Sequence, residues 1–187
     1  MSARCAHAPA LRAKLRAATQ EHHQSLDTAL GRLDLAEQQD YARFLSVQSR
    51  ARGGVEAWLA RYCPPEWMPP SQAASLRQDL TELGFATTHG APAFAHGDEG
   101  PVAWLGAAWV LAGSSLGNRM MERDLAARAP SDWPMAFLRD SAMPSYFKAL
   151  RPLLENTDVN PGAERTASAV FDHFLDEARQ QLAEIAA

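Results

Sequence analysis

Apolar residues open the chain with a helical rhythm. Leu11, Leu15, Ala18, His22, Leu26 and Ala29 follow a 4/3 spacing, which predicts one amphipathic helix that Gly31 brings to a stop. A second long helix is expected from about Glu37 to Tyr62, with Tyr41, Leu45, Val55, Trp58 and Leu59 inward. Gly53 and Gly54 interrupt it, at roughly 1 kcal/mol each relative to alanine, and PPEWMPP ends it, because proline neither donates to a helix nor tolerates a helical predecessor. Ser71 can cap a short third helix ending near Gly84, and the stretch from Thr87 to Gly100 reads as a loop. Pro101 suits the first turn of a helix running from about Val102 to Ala127. Shorter helices are expected at Trp133 to Arg139 and Ser145 to Glu155, and a last one from Gly162 onward. No run alternates with period two and no internal repeat appears. The pattern predicts an all-α chain, a single-domain bundle of six to eight helices.

Composition narrows this picture. A chain of 187 residues fits one domain, residues 1–187, long enough to bury roughly 70% of the surface its unfolded form exposes. An apolar fraction of 47%, a charged fraction of 21% and a net charge of -4 describe a globular protein and argue against an electrostatic grip on nucleic acid. Cys5 and Cys63 form no C-x-x-C pair and are too few for a disulfide framework, so a reducing compartment is expected. The first ten residues carry charge but no continuous apolar segment, which suits a flexible leader and not a secretory signal. The most apolar stretch, Val102 to Gly113, covers about half of the ~20 residues a membrane span needs. A cytoplasmic protein without membrane attachment is the expectation.

Two places carry candidate chemistry. The first is TQEHHQSLD, where adjacent histidines point about 100° apart on a helix and cannot serve one site. Summed from Leu11, the apolar stripe spans about -20° to 60° and contains His22, whereas His23 falls near 120°, beside Arg12, Arg16 and Thr19. His22 therefore reads as a core histidine. His23 reads either as an iron ligand next to cations that could pair with a ligand's carboxylates, or as a surface residue on a solvated flank. The second place is WVLAGSSLGNRMM. Gly113 and Gly117 stand four apart on one helix face with Ser114 and Ser115 between them, and Gly106 lies two turns upstream. Such glycines serve either close helix packing or the approach of a backbone to a flat ligand.

Taken together, LRAATQEHHQSLD and WVLAGSSLGNRMM resemble the heme oxygenase family, most nearly its bacterial branch that supplies biliverdin to bacteriophytochromes. The family's first motif runs approximately L-[KR]-x-x-T-x-x-x-H-x-x-[LAV]-[DE], and Leu15, Arg16, Thr19, His23, Leu26 and Asp27 match it in register. In its second motif, close to Y-V-x-E-G-S-x-L-G, Val110, Gly113, Ser114, Leu116 and Gly117 match. Trp109 replaces the usual tyrosine and Ala112 the usual glutamate, and Ser114 stands where some relatives carry an aspartate.

The resemblance implies heme as both cofactor and substrate, held between a proximal and a distal helix and cleaved with O2 and external electrons to biliverdin, carbon monoxide and ferrous iron. It selects His23 as the metal ligand. Arg16, Thr19, Lys148, Arg151 and Phe171 are implied as heme-binding residues, the Lys148 and Arg151 pair one position off the family spacing. Gly113, Ser114 and Gly117 are implied as the catalytic face of the distal helix. An electron-donor protein, a ferredoxin or a flavoprotein reductase, and a bacteriophytochrome are the implied partners. Rival readings are a heme carrier or sensor without efficient turnover, which Ala112 and Ser114 keep open, and a thiaminase-like enzyme on the same scaffold. The chain offers the latter no pocket cluster of cysteine, glutamate and histidine. His7, His89, His96 and His173 are given no metal role.

Overall fold

The computed structural model describes residues 10–86 and 90–183. Seven α-helices account for most of them: α1 (Leu11–Ala18), α2 (Gln20–Leu30), α3 (Gln38–Tyr62), α4 (Ala73–Glu82), α5 (Trp104–Arg128), α6 (Ala142–Asn156) and α7 (Pro161–Ala183), with one 3-10 turn at Pro65–Trp67 and no strand among the described residues. The flexible leader expected over residues 1–10 lies, but for Ala10, outside the described residues, as do Cys5, His7 and His89.

The opening segment is two helices and not one. Thr19 is buried, with φ -102° and ψ 3°, and its Oγ1 donates to the Leu15 carbonyl at 2.8 Å while its own amide donates to the same oxygen at 3.1 Å. A ψ about 45° away from the helical value turns the axis, and a hydroxyl bonded back into the preceding turn favours such a bend. Angular positions summed from Leu11 therefore do not carry across Thr19.

The second expected interruption does not occur. α3 runs unbroken through Gly53 and Gly54. A Cβ at Gly54 would stand 2.2 Å from the Pro92 carbonyl oxygen and 3.0 Å from His173 Nε2, so this glycine admits the 90–100 segment and α7 against α3. A third difference lies at Trp133 to Arg139, which forms turns and no helix. The buried Asp79 of α4 accepts the amides of Ala136 and Phe137, both at 2.8 Å, and holds this segment as turns in which the Arg139 amide alone closes a helical bond, to the Met135 carbonyl at 2.9 Å. α6 starts a turn earlier than its sequence suggests, because the Asp140 carboxylate accepts the amides of Ala142 and Met143 at its N-terminus.

α7 is the central post, packed by α1, α2, α3 and α5. α3 runs antiparallel to it, with Arg50 on Glu177 at 2.7 Å near one end and Gly54 beneath His173 one turn on. α3 is antiparallel to α5 as well, since Arg52 meets Ser114 while Trp67, just beyond α3, stacks on Trp104 at the start of α5. Hence α5 and α7 run in the same direction. Their closest approach is at Gly106, where a Cβ would lie 2.0 Å from the Ala163 carbonyl oxygen.

Two apolar cores fill the bundle. One joins α1, the second half of α3, the first half of α5, α6 and α7; the other joins the start of α3 with α4, Leu125 and the 133–138 segment. Between them the buried positions are polar: Gln48 and Arg52 on α3, Ser115 and Asn118 on α5. This polar layer abuts the middle of α5.

Candidate functional site

His23 and His22 straddle α7. The His23 ring packs on Phe171, centroids 5.5 Å apart, and His22 Nδ1 bonds Asp172 Oδ1 at 2.7 Å. Phe171 is buried and Asp172 exposed, so α7's two successive side chains sort the two histidines: His23 lies over its inner side, His22 over its outer side. Exposure keeps the order that periodicity from Leu11 predicts, 33% for the His22 side chain against 60% for His23, although His23 is the one beside buried Phe171. α2 buries no residue at all.

His23 Nδ1 lies 2.8 Å from Asp27 Oδ2, one turn along α2. Asp27 thus sets a carboxylate beside Nδ1, and Nε2 is the ring nitrogen without a polar partner among the described residues.

α5 supplies the opposite wall. Gly106, Gly113, Gly117 and Met120 share one face, within about 60° of each other at 100° per residue. At Gly106 that face is sealed on Ala163 and Ala167; at Gly113 an added Cβ would find no atom within 4 Å, and at Gly117 only the Met121 methyl at 3.8 Å. Because the helices are parallel, Gly113 stands about 10 Å beyond Gly106, level with Phe171 on α7. α5 thus parts from α7 where His23 overlies Phe171, and α2 and α5, both packed on α7, hardly touch one another. Leu116 and Met120 flank the glycines and are 60% and 77% exposed, the largest exposure of any bulky apolar side chains among the described residues. The result is a wedge open to solvent, with an imidazole on one wall and an apolar, glycine-lined face on the other. Two further surface depressions, about 470 and 380 Å³, lie along the other side chains of α2 and include neither His23 nor Gly113.

The remaining sequence candidates are distributed around this wedge. Thr19 is buried with its hydroxyl committed to Leu15, at the hinge that sets the direction of α2. Arg16 on α1 and Lys148 on α6 are exposed and make no ion pair among the described residues. Arg151 shares Glu155 with Arg12, at 2.7 and 3.3 Å, so its charge is already answered and the pair ties α6 to α1. Ser114 is exposed on the side of α5 that turns toward α3, donating to the Leu111 carbonyl at 2.8 Å. Trp109 is half-buried against the first core and Ala112 fully buried, so no carboxylate stands at their positions. Among the described residues no group of three or more histidine, cysteine, aspartate or glutamate side chains is placed to hold a metal ion, and no helix is long and apolar enough to cross a membrane.

Four residues of consequence carry no role in the sequence reading: Asp27, Leu116, Met120 and Arg52. Leu116 and Met120 have a signal, the i+3 and i+7 spacing from Gly113. Arg52 has one as well, because Tyr41, Leu45, Gln48, Arg52, Val55 and Leu59 form an unbroken 4/3 stripe with an arginine inside it. All six are buried. Arg52 Nε donates to Gln48 Oε1 at 3.2 Å and Nη2 to Ser114 Oγ at 2.5 Å, while Nη1 has no partner.

The chain matches no protein-family model and no curated protein by sequence. Its fold is that of a heme oxygenase from Neisseria meningitidis, solved with NO and CO bound, with a TM-score of 0.69 and 19% identity over 93% of this chain and 92% of that one.

Proposed function

We propose that this chain is a heme oxygenase that takes heme into the wedge between α2 and α5, with His23 as the iron ligand, and releases biliverdin, carbon monoxide and ferrous iron. One observation carries the reading: the face of α5 that seals on α7 at Gly106 stands open at Gly113 and Gly117, at the level where His23 packs on Phe171 with Asp27 beside its Nδ1. The breadth and apolarity of that opening suit a flat macrocycle, since exposed Leu116 and Met120 gain about 25 cal/mol for each Å² of apolar surface that a ligand covers.

When bound, heme supplies the iron at which oxygen is reduced and the ring that is oxidised. The chain's own residues hold and orient it. The Asp27 carboxylate stands beside His23 Nδ1, and Phe171 backs the imidazole. Arg16 and Lys148, free of carboxylate partners among the described residues, are the cations available to heme's propionates, with Arg151 able to join only by giving up Glu155. Gly113 and Gly117 leave the backbone of α5 bare on the face that looks across the wedge, so a side chain does not fill the space that oxygen and water need. Ser114 contributes its hydroxyl at the edge of that space.

In this reading electrons come from a separate ferredoxin or flavoprotein reductase in the cytoplasm, and the biliverdin serves a bacteriophytochrome. The absence of a carboxylate at Ala112 and Ser114 favours one alternative, a heme carrier or sensor with the same pocket. Hemin titration followed by turnover separates them. The purified protein is expected to bind one hemin with a histidine-ligated Soret band, which decays under ascorbate or reductase and oxygen as biliverdin absorbance grows. Intact heme under those conditions would leave the carrier; no hemin complex at all would end both readings.

A further inference from the structure

The buried cation behind α5 has no counter-ion. Arg52 is 1% exposed, and among the described residues it makes no ion pair, although Arg50, two positions earlier, is matched to buried Glu177. Its neighbours are the Gln48 amide oxygen, the Ser114 hydroxyl and the face of Phe137, 5.3 Å from the guanidinium carbon. Glu56 and Asp140 lie farther off, and each is engaged elsewhere: Glu56 accepts from Ser71, and Asp140 accepts from Gln72 and from the N-terminus of α6. Burial pushes the guanidinium down to about 10, so it remains charged at neutral pH. A buried, unmatched charge with an orphaned N–H group is costly and tends to be kept for a reason. Its one contact toward the wedge is Ser114, whose exposed hydroxyl spends its proton on Leu111 and accepts from Arg52. The positive charge therefore sits directly behind the glycine face, opposite His23 and Asp27.

Building on the heme reading, we propose that Arg52 is a positioning residue of the oxygen side of the wedge: acting through and beside Ser114, it supplies the positive field that favours an anionic ligand on the heme iron. Neutral ligands gain little from such a field, anionic ones gain in proportion to their charge.

The test uses the ferric hemin complex and small ligands as probes. Arg52→Met is expected to weaken azide binding by roughly tenfold or more while imidazole affinity stays within about twofold, the asymmetry expected of a lost charge in a low-dielectric site. Arg52→Lys should recover most of the azide affinity, and in the ferrous carbonyl complex the C–O stretch should rise in Arg52→Met and Ser114→Ala. The ligand-free Arg52→Met protein should melt no lower than the parent, since an unmatched buried charge is removed. Azide and imidazole affinities that move together, or azide affinity and C–O stretch unchanged in both variants, would overturn the role of Arg52 while leaving heme binding intact. Failure of the parent protein to bind hemin would instead remove the heme reading and this inference with it. Should Arg52→Met not fold, Ser114→Ala and Arg52→Lys carry the same comparison.

Discussion

α2 and α5 lean on the same helix, α7, and are built in opposite ways. α2 buries nothing and holds its two histidines with carboxylates at the surface, Asp27 for His23 and Asp172 for His22. α5 is buried for its first half, apolar on the wedge face, and backed by a cation without a carboxylate. One wall thus carries negative charge behind a basic nitrogen, the other positive charge behind a hydroxyl. A ligand between them sits in a field directed across the gap, with electron donation favoured from the α2 side and anion stabilisation from the α5 side. The contrast also separates two kinds of mobility: α2, with little of its own buried surface, depends on what it grips, whereas α5 is anchored whether or not the wedge is filled.

The largest test of this contrast is at the histidines. His23→Ala should abolish the axial imidazole signature of the hemin complex and weaken uptake by more than about tenfold, while His22→Ala should keep the spectrum; the reverse result would show that α2 is rotated from the orientation described. The glycines of α5 give the next effect, and it has opposite signs along one helix. Gly106→Ala is expected to destabilise the fold by roughly 1–3 kcal/mol or more, because its Cβ would overlap the Ala163 carbonyl. Gly113→Leu is expected to raise the ligand-free melting point slightly, by up to about 1 kcal/mol of helix propensity, yet to cut hemin affinity more than tenfold. Thermal melts set beside hemin titrations measure both, and equal behaviour of the two glycines would refute the opening of the wedge.

Asp27→Asn should act more gently. It removes the negative charge beside His23 at nearly unchanged size, so the ferric/ferrous potential of bound heme should rise with little loss of affinity, measurable by spectroelectrochemistry. The smallest effect contrasts exposed imidazoles with buried ones. His173 and His96 are held below the usual histidine value chiefly by burial, so the folded chain resists their protonation while the unfolded chain takes the proton near pH 6.5. Stability should therefore be flat above about pH 7 and fall as the pH drops through 6.5, with a slope of at most about 1.4 kcal/mol per pH unit for each histidine. Thermal melts from pH 7.5 to 5 report it, and a His173→Gln variant should show a shallower decline.

Much of the molecule is legible in the chain alone. α3, α4, α5, α6 and α7 follow from 4/3 spacing and from proline and glycine punctuation, α1 and α2 read as one helix, and the inward residues named for α3 are all buried. The misses share a cause. Gly53 and Gly54 read as an interruption because propensity counts the cost of glycine and not the contact that Pro92 and His173 make with its bare backbone. Trp133 to Arg139 reads as helical, but the Asp79 carboxylate that takes its amides comes from a distant helix. Arg52 lies in plain view within an apolar stripe, yet its lack of a counter-ion is set by what α5 and the Phe137 segment bring against it.

The sequence by itself determined the all-α class and the lengths of the long helices, because helix formation and helix faces depend on residues three and four apart. Periodicity made His22 the more buried of the adjacent histidines, which it is, but could not say that His23 packs on Phe171, a residue of a distant helix. Nor could it tell Gly106 from Gly113, which occupy equivalent positions on one face of α5. Only the tertiary structure decided that one meets a neighbouring backbone and the other meets open space. The physical reason is that the neighbours deciding it, Ala163 and Ala167 of α7, lie far along the chain from either glycine and reach only Gly106.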